Sequence, residues 1–573
     1  MSVSSKKPNV ILGITLLLVT VAGLCLFSFL FVPEPVLSHD SGFYDEAFTL
    51  HISVPANSKV YYTLDGSVPD RNSHLYTEPL TIVNNSRNPN TYSMLTDVVP
   101  IFNTDLIETY APIDIDYYPF QAPDYLIDKC TVLRAVAINP FGITSEIITQ
   151  SYFVELPPER YPNCNILSLV TDPDNLFDPE TGIYVTGKTF RDYVENNLSS
   201  EQWRAENWQS AHWRFWDANY RQRGADWERE ATMQFFDTSG KLFLDENGGI
   251  RIRGGISRST LPRSLNLYAR DASNKTDTFR YPLFGNDFIP DAVSLSAGGN
   301  QLITQFNDYM MTQRSRNRNM ATVLFEPYVL FLNGEYWGYY WMTEKFNETY
   351  FAHYYGIDPN NCIIVKDEEL EAGRTGDLDL YLSMVEYILT HDLSIQENYD
   401  QACELMDIDS FLDYFCTMAY IAREEDWPWG NWAMWRTRLP ENSPYGDTKW
   451  RWILFDCNST CMSSYEDNTS WDTLSVILDY PLFASFWRNP YFQEIFRQRI
   501  LEIADTDFNP QEMDAFIQEY TKTMEPLLAQ SWKRFYGSEN ELQTDYYDTM
   551  ERIRQFFLNR KPYVEAWFVD SGE

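Results

Sequence analysis

At 573 residues the chain has room for roughly three to four domains. Hydrophobic residues make up 44% and aromatic residues 16%, which supports packed cores and excludes a disordered protein. The 82 acidic against 44 basic residues leave a net charge of −38, spread without an acidic tail. Such a surface repels phosphate backbones, so nucleic acid is excluded as a partner.

Lys6 and Lys7 precede an uncharged run from Val10 to Val32. About 20 apolar residues span a bilayer as a helix, whereas a cleaved signal peptide has a core of about 7–15. The run is predicted to be an uncleaved, single-pass signal anchor. The basic flank holds the N-terminus in the cytoplasm and places the bulk of the chain outside the cell membrane. Residues 1–38 are assigned to this anchor and its stub.

Residues 39–155 read as β. Phe48–Val54 alternates, Val60–Leu64 is β-branched and aromatic before Asp65-Gly66, and Thr131–Ile138 and Ile147–Phe153 flank the turn Asn139–Gly142. Short strands between turn signals predict a small antiparallel sandwich. The stretch Tyr61–Pro69 with Leu75-Tyr76 resembles the chitobiase/hexosaminidase C-terminal-like domain of surface proteins, with residues 84–127 as an insertion. That resemblance implies a spacer or docking module.

Glu155–Glu159 is a linker, and residues 160–573 are read as one α+β domain. Cys164–Thr171 is a buried strand. Residues 200–230 carry Trp203, Trp208, Trp213, Trp216 and Trp227, read as aromatic packing ahead of a binding surface. Gly248–Arg258 leads into Arg263–Arg270, a strand, a Gly-Gly turn and a second strand with basic groups at the turn. Tyr328–Tyr340 is a hairpin turning on Asn333-Gly334. Helical patterns follow at Leu380–Leu389, Ile408–Arg423 and Pro510–Trp567. Of the eight cysteines, Cys457 and Cys461 are close enough for a local disulfide, although buried free thiols are the favoured state. No Cys or His pattern has zinc spacing.

Chemistry concentrates in residues 424–461. Asp426 is followed five positions later by Asn431 and, after a strand-like run, by Asp456. That order suits phosphoryl transfer: a carboxylate takes the proton of an attacking hydroxyl, and an amide and a second carboxylate hold a divalent metal. The bland alternative makes Asp426 a cap or turn residue of an aromatic loop.

Several phrases, in order, resemble the CotH kinase family: Leu167–Asp178, Gly249–Gly255, Phe331–Gly338, Asp426–Arg436 and Trp450–Asp456. The resemblance implies a distant branch of the protein-kinase fold that uses ATP with Mg²⁺ or Mn²⁺ on a Ser or Thr of a surface or spore-coat protein. It implies that Asp426 is the catalytic base and that Asn431, Asp456 and Asn458 are metal ligands. Arg263, Gly254, Gly255 and Glu344 are implied at the nucleotide, Glu344 with a structural or ion-pairing role. Two departures stand out. Asn458 replaces the second carboxylate of the usual Asp-x-Asp, and Arg263 replaces a lysine whose geometry it does not share. They leave open a non-catalytic pseudokinase serving adhesion or envelope assembly. A third reading, glycoside chemistry, needs two carboxylates flanking one bond, and no motif selects such a pair.

Overall fold

A computed structural model describes residues 31–100, 120–206, 213–270, 277–423, 427–461, 468–537 and 540–569. The predicted anchor Val10–Val32 lies outside these residues except for its end, where Val32 is buried in the core of the first domain. Among the described residues no helix is long and apolar enough to cross a membrane.

The N-terminal domain is β-rich. Its five-stranded sheet runs Gly42–Tyr44, Ile148–Val154, Thr131–Ile138, Lys59–Thr63 and His74–Leu75. Two short pairs, Val36–Leu37 with Ile52–Ser53 and Phe48–Leu50 with Leu80–Ile82, cover it. The domain therefore begins before residue 39. The strand expected over Phe48–Val54 is broken at His51, whose neighbours join different partners.

A seven-stranded closed barrel follows. Its strands are β1 (Asn165–Val170), β2 (Arg229–Phe236), β3 (Leu242–Ile252), β4 (Leu265–Tyr268), β5 (Ala292–Ser296), β6 (Phe325–Leu332) and β7 (Glu335–Glu344). The order around the barrel is β1-β2-β3-β4-β5-β7-β6, closed by parallel pairing of β6 with β1. Register aligns Ile250 with Leu267, and Leu267 with Val293, so Ile250, Ile252, Leu265, Leu267, Val293 and Leu295 share one buried apolar face of β3–β5. The alternate positions Arg251, Asn266 and Ser294 turn to the other face, as a period of two requires.

The β6–β7 hairpin turns on Asn333 (φ 45°) and Gly334 (φ 86°), the left-handed pair that a two-residue hairpin demands. Sequence reading and structure agree there. They differ at Gly254-Gly255, expected as the tight turn of a hairpin. β3 and β4 do pair antiparallel, but residues 253–264 form a longer connection containing a short helical turn, Ile256–Ser259.

The C-terminal half is helical around a four-stranded sheet of β9 (Glu369–Ala372), β8 (Cys362–Lys366), β10 (Ala433–Thr437) and β11 (Arg451–Ile453), in that order. Helix α1 (Asn307–Ser315) lies in the chain between barrel strands β5 and β6 and hydrogen-bonds to the loop after β11. Helix α2 (Ile408–Tyr420) is capped by Asp407, which accepts the Ser410 N–H at 3.1 Å. It is buried from Ser410 to Tyr420. The long C-terminal helical pattern resolves into α3 (Pro510–Tyr536) and α4 (Asn540–Ala566). α3 lies so close to β7 that a Cβ on Gly338 (φ 106°) would stand 2.6 Å from Ser531 Oγ.

Of the tryptophans at 200–230, Trp216 is fully buried with Phe190 and Tyr220, and Trp203 packs against them. Trp208 lies outside the described residues. The cysteines described are free thiols, Cys457 and Cys461 among them.

Candidate functional site

β10 and β11 pair with Ala433 opposite Ile453. Antiparallel register then puts the residues before Ala433 and those after Ile453 at the same end of the pair. Asn431 and Asp456 share that end. Both hold left-handed backbone, at φ 55° and 53°, which Asn and Asp tolerate better than other side-chain residues and which recurs at functional positions. The turn is fixed from β8: Asp367 Oδ1 accepts the Trp432 N–H at 3.0 Å, and Trp432 O accepts the Asp367 N–H at 3.2 Å. Lys366, at the end of β8, places its ammonium 4.3 Å from the centre of the Phe455 ring, beside Asp456.

A carboxylate that sequence reading gave no role completes the group. Asp308, in the first turn of α1, accepts the Cys457 N–H at 2.7 Å through Oδ1. Its carboxyl is pushed up to about 6, first by burial and then by the charge of Asp456. The Cys457 N–H, Arg253 and Arg423 act in the opposite direction. Asp308 and Asp456 thus lie close enough for their charges to oppose each other, and the charges of Arg253 and Arg423 offset part of that. The loop after Asp456 is bound down to α1: Asn307 Nδ2 donates to Thr460 O at 2.8 Å and Oγ1 at 3.0 Å, and Gln301 Nε2 donates to Asn458 O. The Cys461 N–H reaches Ile421 O at 3.0 Å, joining the loop to the end of α2, where Arg423 is buried.

Asp308 and Asp456 lie 148 positions apart, and no spacing rule links them. The one local signal is a carboxylate opening a helix soon after Gly298-Gly299, and such residues are usually no more than helix-favouring charges.

The other expected residues divide. Asp426 lies outside the described residues, which stop at Arg423 and resume at Trp427. Gly254 (φ 113°) and Gly255 sit on the connection leaving β3, one residue beyond Arg253, and a Cβ on Gly255 would meet nothing within 4 Å. Asn458 is half-buried and its Oδ1 accepts the Ser459 hydroxyl at 3.2 Å.

Arg263 requires correction. It is 0% exposed, donates to Val98 O at 2.5 Å, and has its guanidinium 3.9 Å from the centre of the Tyr220 ring and 4.9 Å from that of Tyr184. Its role is to pack a barrel connection against the N-terminal domain, and it has no opening through which to meet a nucleotide phosphate. Glu344 is likewise internal. It accepts the Leu324 N–H at 2.8 Å and the Tyr354 hydroxyl, and burial raises its carboxyl. It makes no ion pair among the described residues, so it acts as a hydrogen-bonded tether at the end of β7 instead of the expected salt bridge or nucleotide contact.

Asp308, Asp456 and the amides of Asn431 and Asn458 are hard oxygen donors, the chemistry that Mg²⁺ or Mn²⁺ takes. Among the described residues no group of three or more His, Cys, Asp or Glu gathers at metal-holding distance. Two carboxylates with amide oxygens suit an ion that keeps several waters and relies on its substrate's phosphates.

A family model described as CotH kinase protein matches residues 250–564, and one described as Fn3 associated matches residues 48–152. The second match covers the segment read from sequence as a chitobiase-like sandwich. No curated protein matches the chain.

Proposed function

Because the chain belongs to the CotH kinase protein family, we propose that it is a protein kinase that moves the γ-phosphoryl group of ATP to a Ser or Thr hydroxyl of a surface or coat protein. The segment Val10–Val32 would hold it at the cell membrane with its bulk outside. The observation that carries this reading is the meeting of Asp456, Asp308 and Asn431 at the end of β10–β11, reached from the Gly254-Gly255 connection through Arg253.

Asp426 takes the proton as the acceptor oxygen bonds to the γ-phosphorus and the bond to the β-phosphate oxygen breaks, releasing ADP. Asp456, Asp308, Asn431 and Asn458 would hold the divalent ion, which supplies charge neutralisation for the phosphates. Arg253 and Arg423 favour the charged form of Asp308 against burial and the charge of Asp456. Catalysis of this kind is positioning and electrostatics, with no covalent step on the protein.

A non-catalytic role in adhesion or envelope assembly is the second reading. It is favoured by the amide at Asn458 and by the sealed position of Arg263. The test is the full chain with ATP and Mn²⁺ or Mg²⁺, wild type against Asp456→Asn, followed by thermal shift and by mass spectrometry for phosphoserine and phosphothreonine. A saturating ligand at about 100 times its Kd should add roughly 2.7 kcal/mol to stability. We expect a metal-dependent shift and phosphate transfer, with transfer reduced at least 100-fold in the variant. A shift without phosphate on any acceptor would favour the non-catalytic reading.

A further inference from the structure

Four arginines gather around Gly254 in a chain where acidic residues outnumber basic ones 82 to 44. Arg258 Nε donates to Gly254 O at 2.7 Å, and Arg223 Nη2 donates to the same oxygen at 3.2 Å. Two guanidinium groups therefore meet at one carbonyl. Arg258 Nη1 also donates to Gln222 O at 2.9 Å, and Arg221 Nη1 donates to Arg214 O at 2.6 Å. Arg253 is the residue before Gly254, and its charge acts on Asp308.

Every one of these side-chain partners is a backbone carbonyl. Among the described residues none of the four arginines has a carboxylate oxygen within the 4.0 Å of an ion pair. Arg258, 8% exposed, is pushed down to about 10 by burial and then by the like charges of Arg223 and Arg221. Asp217 feels Arg221 only through space. Other buried or half-buried arginines divide: Arg318 reaches Asp507 at 2.6 Å and Arg451 reaches Asp407 at 3.0 Å, whereas Arg263 and Arg560 donate to backbone carbonyls. Like charges held together without a counter-ion are unfavourable, and the guanidinium fork matches phosphate geometry. The turn leaves room at Gly255, where a Cβ would meet nothing within 4 Å, whereas at Gly254 (φ 113°) a Cβ would clash with Ser257 Oγ and only glycine fits.

We propose that Arg221, Arg223, Arg253 and Arg258 form a polyphosphate cradle around Gly254-Gly255 that takes the phosphate tail of the nucleotide, with Arg253 as its link to the carboxylates. The assignment rests on the kinase reading for the identity of the ligand. It replaces the single cation expected at Arg263 with a cluster drawn partly from the tryptophan-rich insertion, which gives that insertion a function in the site.

Tripolyphosphate titrated into the full chain without divalent metal, followed by calorimetry, tests it. Wild type should bind tripolyphosphate, ATP should compete with it, and adenosine should not. Arg223→Glu, at an exposed position with one long hydrogen bond, should weaken tripolyphosphate binding at least tenfold and flatten its salt dependence. Arg258→Lys, which keeps the charge and loses the fork, should weaken it several-fold, with the unchanged melting curve of Arg223→Glu guarding against a folding artefact. No binding to wild type, or unchanged binding to Arg223→Glu, overturns the cradle. Binding that ATP fails to displace, as with free phosphate or a phosphoserine peptide alone, overturns its assignment to the nucleotide. Phosphate transfer that persists unaltered in Arg223→Glu rejects the cradle and leaves the kinase reading standing. Tripolyphosphate binding lost in Arg223→Glu, with no transfer under any metal, leaves the cradle and rejects the kinase.

Discussion

Asp308 carries opposing demands in one side chain. A carboxyl raised from 3.8 to about 6 resists ionisation in the folded protein. Its charged form therefore destabilises the fold above pH 6, and that cost disappears as pH falls below its unfolded value near 4. Asp308→Asn keeps the acceptor for the Cys457 N–H and removes the charge. We expect the metal-free variant to be more stable than wild type by about 1–2 kcal/mol at pH 7.5 and equal to it at pH 4, measured by denaturant unfolding. The same variant should bind Mn²⁺ about tenfold or more weakly, read by calorimetry. A stabilised variant with unchanged metal affinity would make Asp308 a bystander. At this scale the meeting of Asn431 and Asp456 at one end of β10–β11 was legible because the two paired strands lie close in sequence. Asp308 was not, because it reaches the site from another element and owes its importance to a neighbour 148 residues away. Arg263 misled for the converse reason: a positive charge in a motif says nothing about whether tyrosines and a carbonyl enclose it.

Among the elements, α4 fixes the segments around the site through one side chain. Arg560 is fully buried and spends all five donors. Nε reaches Tyr420 O at 2.9 Å, Nη1 reaches Thr469 O at 2.7 Å and Trp471 O at 2.8 Å, and Nη2 reaches Ala419 O and Thr473 Oγ1, both at 3.0 Å. It ties the end of α2 at Ala419 and Tyr420, four and three residues before Arg423, to the segment that resumes at Asn468. Arg560→Met should cost about 3–5 kcal/mol, since it removes a buried charge-assisted network of five hydrogen bonds to carbonyl and hydroxyl oxygens. Hydrogen exchange should rise at Ala419–Arg423 before it rises in β6 or β7. An equally protected α2 end would show that the helix holds itself. The Asn333-Gly334 hairpin and the helical patterns at Leu378–Thr390 and Ile408–Tyr420 were readable from turn chemistry and period. The closed barrel was not, because its closure depends on two strands far apart in sequence lying parallel, which alternation cannot encode.

Across the whole molecule, the N-terminal domain and the barrel share a packed seam. Glu335 Oε1 and Oε2 accept the N–H groups of Thr91 and Ser93, at 2.5 and 2.7 Å. Phe153, fully buried, stacks on Phe43 at 4.4 Å and meets Phe331 edge-on at 5.0 Å. The sequence marked a linker at Glu155–Glu159 and so suggested a separable module, but a linker's composition carries no information about what packs on either side of it. Phe153→Ala should cost about 3–5 kcal/mol. Full-chain unfolding should remain a single transition by fluorescence and circular dichroism. Two separated transitions would restore the view of the sandwich as an independent spacer.

The parallel closure of the barrel also sets an order of events during synthesis. Asn165 in β1 pairs with Tyr328 in β6, so β1 leaves the ribosome with one edge bare until more than 160 further residues have followed. At about 5–20 residues per second that interval is roughly 10–30 s. Throughout it a strand rich in Leu, Ile and Val offers unsatisfied backbone groups to any passing chain. A protein built this way depends on whatever accompanies it during synthesis to keep that edge covered, and its yield should fall when translation is slowed between β1 and β6.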